Sequence, residues 1–589
     1  MTRSHLLVHG AAALALCLGG AAPVLAQSTA SWVPDAARGS DFELSIRNIM
    51  RGPEHVGQAP TGVRWTDDSR WVYFRWVPGG RAWDADAALW RVPAGGGTPE
   101  ELTDAEADEA APLIAAGDLS RDRRWRVSSV RGDLHLVDRR TMAVRRLTHT
   151  EDAEGSPLFG PDGQQVLFRR GNDVYRLTRS NGALEQLTRI EEGPAPEDED
   201  EAEGQRRFLE EQQLELFEHV RREKARADER EARDSLREAG EPRAVYLERG
   251  ERVASLEPTR DGRYVLVRTA RPAEDAKRTI VPDWITSDGY TRDLTVRTKV
   301  GDTQGAGRLG LLATATGEIT WLDTAPDSVE AGPASRVVGL GWNDAGTTAF
   351  VFAVSPDDKD RWLWSVDAES GGRTLLDHLH DDAWVAGPCF ASCVGFVPGT
   401  DRIWFVSEES GWAHLYAVDA DGTDRVALTS GEWEVLDVSI PEDRERFLLH
   451  TNEGSPFDEH VWWMDFDGSN RRAVTSGQGR WEAELSPDGR RFALLHDVAD
   501  RPPELFIAEA GSPSDTTRVT TSPTEAWRAF AWRKPEIVRF PAQDGTMVPA
   551  RVYRPREAGA EPNGAGVIFV HGAGYLHNVH NYWSSYSRE

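Results

Sequence analysis

The sequence predicts a mostly β chain whose body is a β-propeller. A unit of roughly 30–50 residues recurs across 61–534, and each unit holds several short apolar runs. The runs are joined by turns of recurring chemistry. Pro161-Asp162-Gly163 and Pro487-Asp488-Gly489 supply a fixed φ, a side chain that bonds its own backbone and a residue tolerant of positive φ. Many units end in Leu-Thr or Val-Thr.

The units follow one another with little between them. The first three run from Val63 to Thr103, Leu119 to Thr148 and Pro157 to Thr188. The fourth opens near Leu256 and closes near Asp323, with a long excursion between. The last four span Val338–Leu376, Val394–Thr429, Val438–Thr475 and Ala483–Thr520. Each reads as an apolar strand, a turn, a second strand and a third strand ending in a polar turn. Eight blades are predicted. The irregular fourth unit leaves seven as the alternative. No Trp-Asp pair closes each unit, so the WD type of propeller is not indicated.

Charge narrows the function classes. The net charge is −29, and nearly all positive charge is arginine, with only five lysines. Nonspecific nucleic-acid binding is excluded on these grounds. Residues 1–26 read as a secretory signal peptide, with Arg3 before an apolar stretch from Leu6 to Leu18 and a Val24-Leu25-Ala26 cleavage site. The apolar core is short for a membrane anchor, and no other stretch is apolar enough to span a bilayer. A secreted or periplasmic protein is expected. Cys389 and Cys393 then form either a local disulfide or a pair of small buried residues. No metal-ligand set accompanies them, and no cofactor motif is present.

Outside the repeats, the segment 27–60 holds one short helix predicted over Asp41–Met50. The propeller carries a charged insert at 190–242. Its Glu191–Glu203 run has eight acids in 13 residues and reads as solvated and disordered. Gln205–Ala239 reads as a helix with Phe208, Leu209, Leu216, Phe217 and Val220 crowded into its first half. This arm is either a gate, a partner-binding element or a solvated decoration.

The pattern changes again near Lys534, where the segment 535–589 begins. EIVRFPAQDGTMVPARVYRP predicts a hairpin turning at Gln543-Asp544-Gly545. Val567-Ile568-Phe569-Val570 is a continuous apolar run, expected to be a strand buried on both faces. It stops at His571-Gly572-Ala573-Gly574. A short apolar strand followed by HGxG resembles the oxyanion loop of an α/β-hydrolase, where backbone N–H groups face the negative oxygen of a tetrahedral intermediate. The fold expected is therefore a propeller followed by the first strands of an incomplete α/β-hydrolase domain.

Signal peptide, propeller, EIVRFPAQDGTMVPARVYRP and VIFVHGAGY, in that order, resemble the prolyl oligopeptidase family of serine peptidases. The dipeptidyl peptidase IV branch is the nearest match, and SEESGWAHLY (Ser407–Tyr416) resembles a propeller strand pair of that branch. The resemblance implies an exported peptidase that cleaves short peptides through a seryl acyl-enzyme, with the propeller gating access. It implies an oxyanion hole at the amides of Gly572 and Ala573. His571 contributes less directly, since it stands where the branch has a tyrosine. The branch holds a substrate N-terminus with a glutamate pair. Glu210-Glu211 is a weak candidate, and Glu408-Glu409 reads as structural. No Gly-x-Ser-x-Gly is present, so the triad serine, aspartate and histidine are expected beyond Glu589, and the chain itself is expected to be inactive. His577, His580, Ser584 and Ser585 follow the oxyanion loop in a region expected to lead into a helix, so they make no triad. Peptide substrates are the expected partners, and a homo-oligomer is left open. The alternatives are a non-enzymatic periplasmic propeller that binds or scaffolds, and an esterase on the same hydrolase architecture.

Overall fold

In the computed structural model, the structure describes residues 43, 45–195, 208–209, 211–213, 217–238, 241–273, 276–299, 301–326, 336–530, 532–557, 560–572 and 576–584. The signal peptide and most of the acidic run lie outside them.

Eight four-stranded antiparallel sheets form the described body. They cover residues 58–101, 118–146, 154–186, 252–322, 336–380, 394–427, 435–473 and 480–518. The propeller therefore has eight blades, and the irregular fourth is one of them. In seven blades the four strands are consecutive. In the fourth, a hairpin of Arg278–Asp283 and Arg292–Thr298 interrupts the order between the second and third strands.

The second and third strands of the blades carry most of the buried residues, because sheets pack on both of their faces. Trp71–Val77 buries Val72 and Phe74 completely, and Thr348–Val354 buries six of its seven residues. Fourth strands lie at the rim and are short and exposed, as in Val426–Ala427 and Arg472–Ala473. Apolar clusters alternate with blades around the ring. One of them holds Val63 and Phe74 of the first blade against Leu505 and Ile507 of the eighth.

That cluster closes the ring. No strand is shared between the two ends of the propeller, so closure depends on side chains and on two loop backbone bonds, Gly79 N–H to the Ser522 carbonyl (2.6 Å) and Thr524 N–H to the His55 carbonyl (2.8 Å). The Trp65 indole donates to the Glu484 carbonyl (3.0 Å), and the Trp76 indole donates to the Ser522 hydroxyl (2.9 Å).

The repeated terminal threonine has a structural role. Thr148, Thr188, Thr429, Thr475 and Thr520 each accept the N–H of Leu134, Val174, Leu415, Val461 and Leu505 at 2.9–3.0 Å. Each hydroxyl satisfies a backbone donor where the short fourth strand no longer reaches its neighbour. Three of them also donate to carboxylates, those of buried Glu154 (2.6 Å), partly buried Asp173 (3.0 Å) and buried Glu504 (2.6 Å). First-to-second-strand turns use a related device. Thr66, Ser120, Thr259 and Ser486 donate to Asp68, Asp122, Asp261 and Asp488.

These tight turns open on one end of the propeller. At that end, ion pairs join blades that are not neighbours. Arg139 of the second blade reaches Glu442 of the seventh, Arg444 of the seventh reaches Asp344 of the fifth, and Arg260 of the fourth reaches Asp118 of the second (2.7 Å). Such pairs run over the axis and narrow its mouth. The longer second-to-third-strand loops and the crossovers between blades open on the other end.

Several expectations change. Within the insert, the described residues 208–209 and 211–213 are helical and a helix runs over Glu218–Glu238, within the expected 205–239, and its base is a parallel pair of Arg189–Glu191 and Ala244–Tyr246. The N-terminal helix is confined to Ile46–Met50, capped by Ser45. Cys389 and Cys393 are disulfide-bonded. The 536–552 hairpin forms as expected. Val567–Val570 do not form a buried strand. They are irregular and 99, 87, 56 and 80% exposed. An apolar run becomes a two-sided buried strand only between sheet neighbours and covering helices, and no described element supplies them.

Replacing Thr520 by Val strips an acceptor from the buried Leu505 N–H and a donor from Glu504. The variant is expected to lose about 1–3 kcal/mol in urea unfolding. An unchanged midpoint would contradict the role given to this threonine.

Candidate functional site

The end of the propeller with the long loops carries every candidate feature that the structure describes. Strand alternation dictates this. The crossover between the third and fourth blades bears the Glu218–Glu238 helix, and the interrupting hairpin leaves from the fourth blade. The disulfide loop lies between blades five and six, and Glu408-Glu409 follows the second strand of blade six.

The segment after the HGxG loop docks on this end, against blades seven and eight. The Asn581 N–H donates to the Phe457 carbonyl (2.8 Å), and the Asn581 carbonyl accepts the Ala499 N–H (2.7 Å). The Asn581 amide donates to both oxygens of Asp458 (3.1 and 3.0 Å). The Trp583 N–H donates to Asp497 (2.7 Å), which also pairs with Arg480 (3.1 Å). The Arg480 guanidinium lies 5.0 Å from the Tyr582 ring centre, and His580 stacks on Tyr582 at 3.7 Å. Trp583 packs edge-on against Trp527, which also leans on Trp532.

Local sequence explains why the chain fits here. Gly479 takes φ +105°, and a Cβ on it would lie 2.0 Å from the Asp497 carbonyl oxygen. Glycine alone lets blades seven and eight approach this closely while its N–H donates to Asp458 (2.7 Å). Asp458 is thereby aimed at Asn581.

Burial sets the electrostatics. It pushes the Asp497 carboxyl up to about 6, against the opposing pull of Arg480. It also raises Glu459 and Tyr582, and Glu459 lies beside Tyr582. Burial, with Arg551 acting in the same direction, holds His580 down to about 3. His450 is held down to about 4, again by burial. Burial thus favours the neutral form of both histidines near neutral pH.

The sequence-predicted oxyanion residues are less organised. His571 and Gly572 are exposed, and the His571 Nδ1 lies 2.8 Å from the carbonyl of Gly572. A Cβ on Gly572 would meet nothing within 4 Å, so the loop backbone is open on that side. Ala573 lies outside the described residues. The docked segment begins at Asn578, six residues after Gly572. No helix follows at 576–584, contrary to expectation, because its polar backbone is satisfied by the propeller instead. His580 is buried under Tyr582, and Ser585 lies outside the described residues.

Glu409 pairs with Arg425 (2.5 Å), which also takes Asp377 (2.7 Å). Asp377 in turn neutralises the fully buried Arg361 (2.9 Å). Glu409 therefore belongs to an ion-pair chain between blades five and six. Glu211 is exposed, and Glu210 lies outside the described residues. Sequence reasoning missed the docking surface of Asp458, Gly479, Arg480 and Asp497. The signal was available only as His-Asn-Tyr-Trp following a Gly-rich loop, and none of its partners are close in sequence.

A family model described as the dipeptidyl peptidase IV (DPP IV) N-terminal region matches residues 106–196 and 280–503, more than half of the chain. The match pauses over the insert. The dipeptidyl peptidase 4 of Trichophyton rubrum is 28% identical over 137 residues, which is 23% of this chain and 15% of that protein. That of Arthroderma otae is 29% identical over 136 residues, with the same shares. These alignments thus span less than a sixth of the fungal proteins. The crystal structure of Porphyromonas gingivalis dipeptidyl peptidase 4 superposes with a TM-score of 0.55 at 16% identity, covering 87% of this chain and 67% of that one. At that identity the likeness concerns the fold alone.

The docking face predicts a pH response. His580 stays neutral in the folded protein where the unfolded chain takes up a proton. Its contribution is complete above pH 6.5 and is lost as pH falls from 6.5 toward 3. Asp497 acts in the opposite sense between pH 6 and 3.8, because there the folded protein holds the extra proton. Stability of the wild type relative to His580→Gln is expected to fall by about 1.4 kcal/mol per pH unit below 6.5. Thermal unfolding of both proteins across this range checks it. A pH-independent difference would contradict the buried neutral histidine.

Proposed function

Because the chain belongs to the dipeptidyl peptidase IV N-terminal region family, within the prolyl oligopeptidase type of serine peptidase, we propose that it is the propeller and oxyanion-loop part of an exported peptidase. The reaction is acyl transfer from a short peptide to a serine, followed by hydrolysis. The propeller covers the catalytic domain and restricts substrates to chains that fit beneath it. The amides of Gly572 and Ala573 stabilise the tetrahedral oxyanion, with His571 beside them. The signal-like residues 1–26 direct export.

The observation that carries this reading is the docking of 578–583 on the long-loop end. This segment follows the HGxG motif by a few residues, which supports a catalytic domain over that propeller face. The exposed Val567–Val570 run supports the same reading, since a strand of that composition is built for sheet neighbours on both edges.

Reading the gene past codon 589 and producing the encoded chain tests the proposal. Labelling of a Gly-x-Ser-x-Gly serine by a fluorophosphonate, with turnover of short peptides, is the expected result. In that protein, Ala573→Pro removes one oxyanion donor and is expected to lower kcat by about 10²–10³-fold with an unchanged melting temperature. A stop codon at 590, or an extended chain that neither labels nor turns over, would overturn the proposal in favour of a binding or scaffolding propeller.

A further inference from the structure

The dipeptide Asn-Gly occurs twice in the chain, at Asn181-Gly182 and at Asn563-Gly564. A glycine after asparagine leaves no Cβ between its own backbone nitrogen and the preceding carboxamide. The two sites share much of their geometry. Both asparagines are exposed. The Asn181 Oδ1 accepts the Ala183 N–H (3.0 Å), and the Asn563 Oδ1 accepts the Ala565 N–H (2.9 Å). Each is an Asx turn, which folds the carboxamide back over the glycine. The accepted hydrogen bond also polarises the carboxamide carbonyl and leaves its Cγ more open to attack. Both glycines take positive φ, +70° and +81°. A Cβ on either would meet nothing within 4 Å, so packing does not separate the two sites.

They differ in what holds the glycine nitrogen. Asn181-Gly182 turns the chain between the strands Asp173–Thr178 and Leu184–Gln186. The Gly182 N–H donates to the Thr178 carbonyl (2.9 Å), and the Thr178 N–H donates to the Ala183 carbonyl (2.8 Å). The Gly182 proton is therefore held, and ladder bonds fix the turn on both sides. Asn563-Gly564 lies between the 536–552 hairpin and the Val567–Val570 run, outside any strand or helix. Among the described residues, nothing accepts the Gly564 N–H.

We propose that Asn563 is a site of spontaneous deamidation and that Asn181 is protected by its turn. A base removes the Gly564 N–H proton, and the nitrogen attacks the Asn563 Cγ, which the Asx turn keeps close. The new N–Cγ bond closes a five-membered succinimide as the Cγ–Nδ2 bond breaks and that nitrogen leaves as ammonia. Water then opens the ring at either carbonyl. Opening at Cγ leaves aspartate, and opening at the main-chain carbonyl leaves isoaspartate. One water is consumed and one ammonia released. Either product adds a negative charge to an already acidic chain. Isoaspartate also routes the main chain through the side chain, which lengthens the connector to the apolar run by one methylene. At Asn181 the same attack must first free the Gly182 N–H and distort the turn that it closes. Two hydrogen bonds of ordinary strength slow that attack by about tenfold or more. The site does not depend on the peptidase reading.

Incubating the folded chain in mildly alkaline buffer, with peptide mapping by mass spectrometry over time, tests this directly. The peptide holding Asn563 should exchange its amide for an acid, in separable aspartate and isoaspartate forms, about tenfold or more faster than the peptide holding Asn181. In urea, where the turn is lost, the two should convert at similar rates. Gly564→Ala, which crowds the attacking nitrogen, should slow conversion at Asn563 and leave the melting temperature in place. Equal conversion of both sites in the folded protein would overturn the proposal. So would an Asn563 that stays intact while the unfolded chain converts. A difference that persists in urea would overturn it too, since flanking sequence and not the turn would then be the cause. The comparison of the two sites in the unaltered protein decides the matter even if the variant fails to fold.

Discussion

The structure depends on sealing the ends of four-stranded sheets within a closed ring. Each blade is built from its own strands, so no strand borrowed from the other end of the chain fastens the ring. The fourth strands are only two to eight residues long, and they leave backbone donors beyond their reach. A threonine hydroxyl takes that donor in five blades. Once the sheets are sealed, apolar clusters can form between blades. The last cluster, with Trp65 and Trp76, draws the first blade onto the eighth.

The same architecture separates two ends with different chemistry. Tight turns with Ser or Thr two residues before Asp need few residues, so one end is compact and is drawn together by ion pairs between non-neighbouring blades. The other end bears the insertions, because loops there can lengthen without disturbing a ladder. That end receives the 578–583 segment. Its binding surface is polar and buried at once, which is costly unless every group is satisfied. Asp458 accepts from Gly479 and Asn581, and Asp497 from Arg480 and Trp583, so both buried carboxylates are satisfied.

Much of the fold was legible in the sequence because a propeller repeats its signals. Eight units, their Asp-Gly turns and the Leu-Thr endings could be read without any long-range contact. The threonine signal was visible, but its partner could not be named, since it lies 14 or 15 residues upstream on another strand. The HGxG loop was equally visible as local pattern. The state of Val567–Val570 was not, because composition reports what a strand prefers and not whether neighbours are present to pair with it. The docking surface was the least legible part. Asp458, Gly479 and Asp497 look like ordinary turn and strand residues, and only the ring brings them to Asn581 and Trp583, more than 80 positions later.

The central claim is that the chain after the HGxG motif is held by the propeller while the apolar run before it is not. Hydrogen–deuterium exchange of the whole chain, resolved to single amides, measures this directly. The amides of Asn581 and Trp583, which donate to Phe457 and Asp497, should be strongly protected. Those of Val567–Val570 should exchange near the rate of an unstructured peptide. Equal and rapid exchange in both stretches would contradict the docked segment.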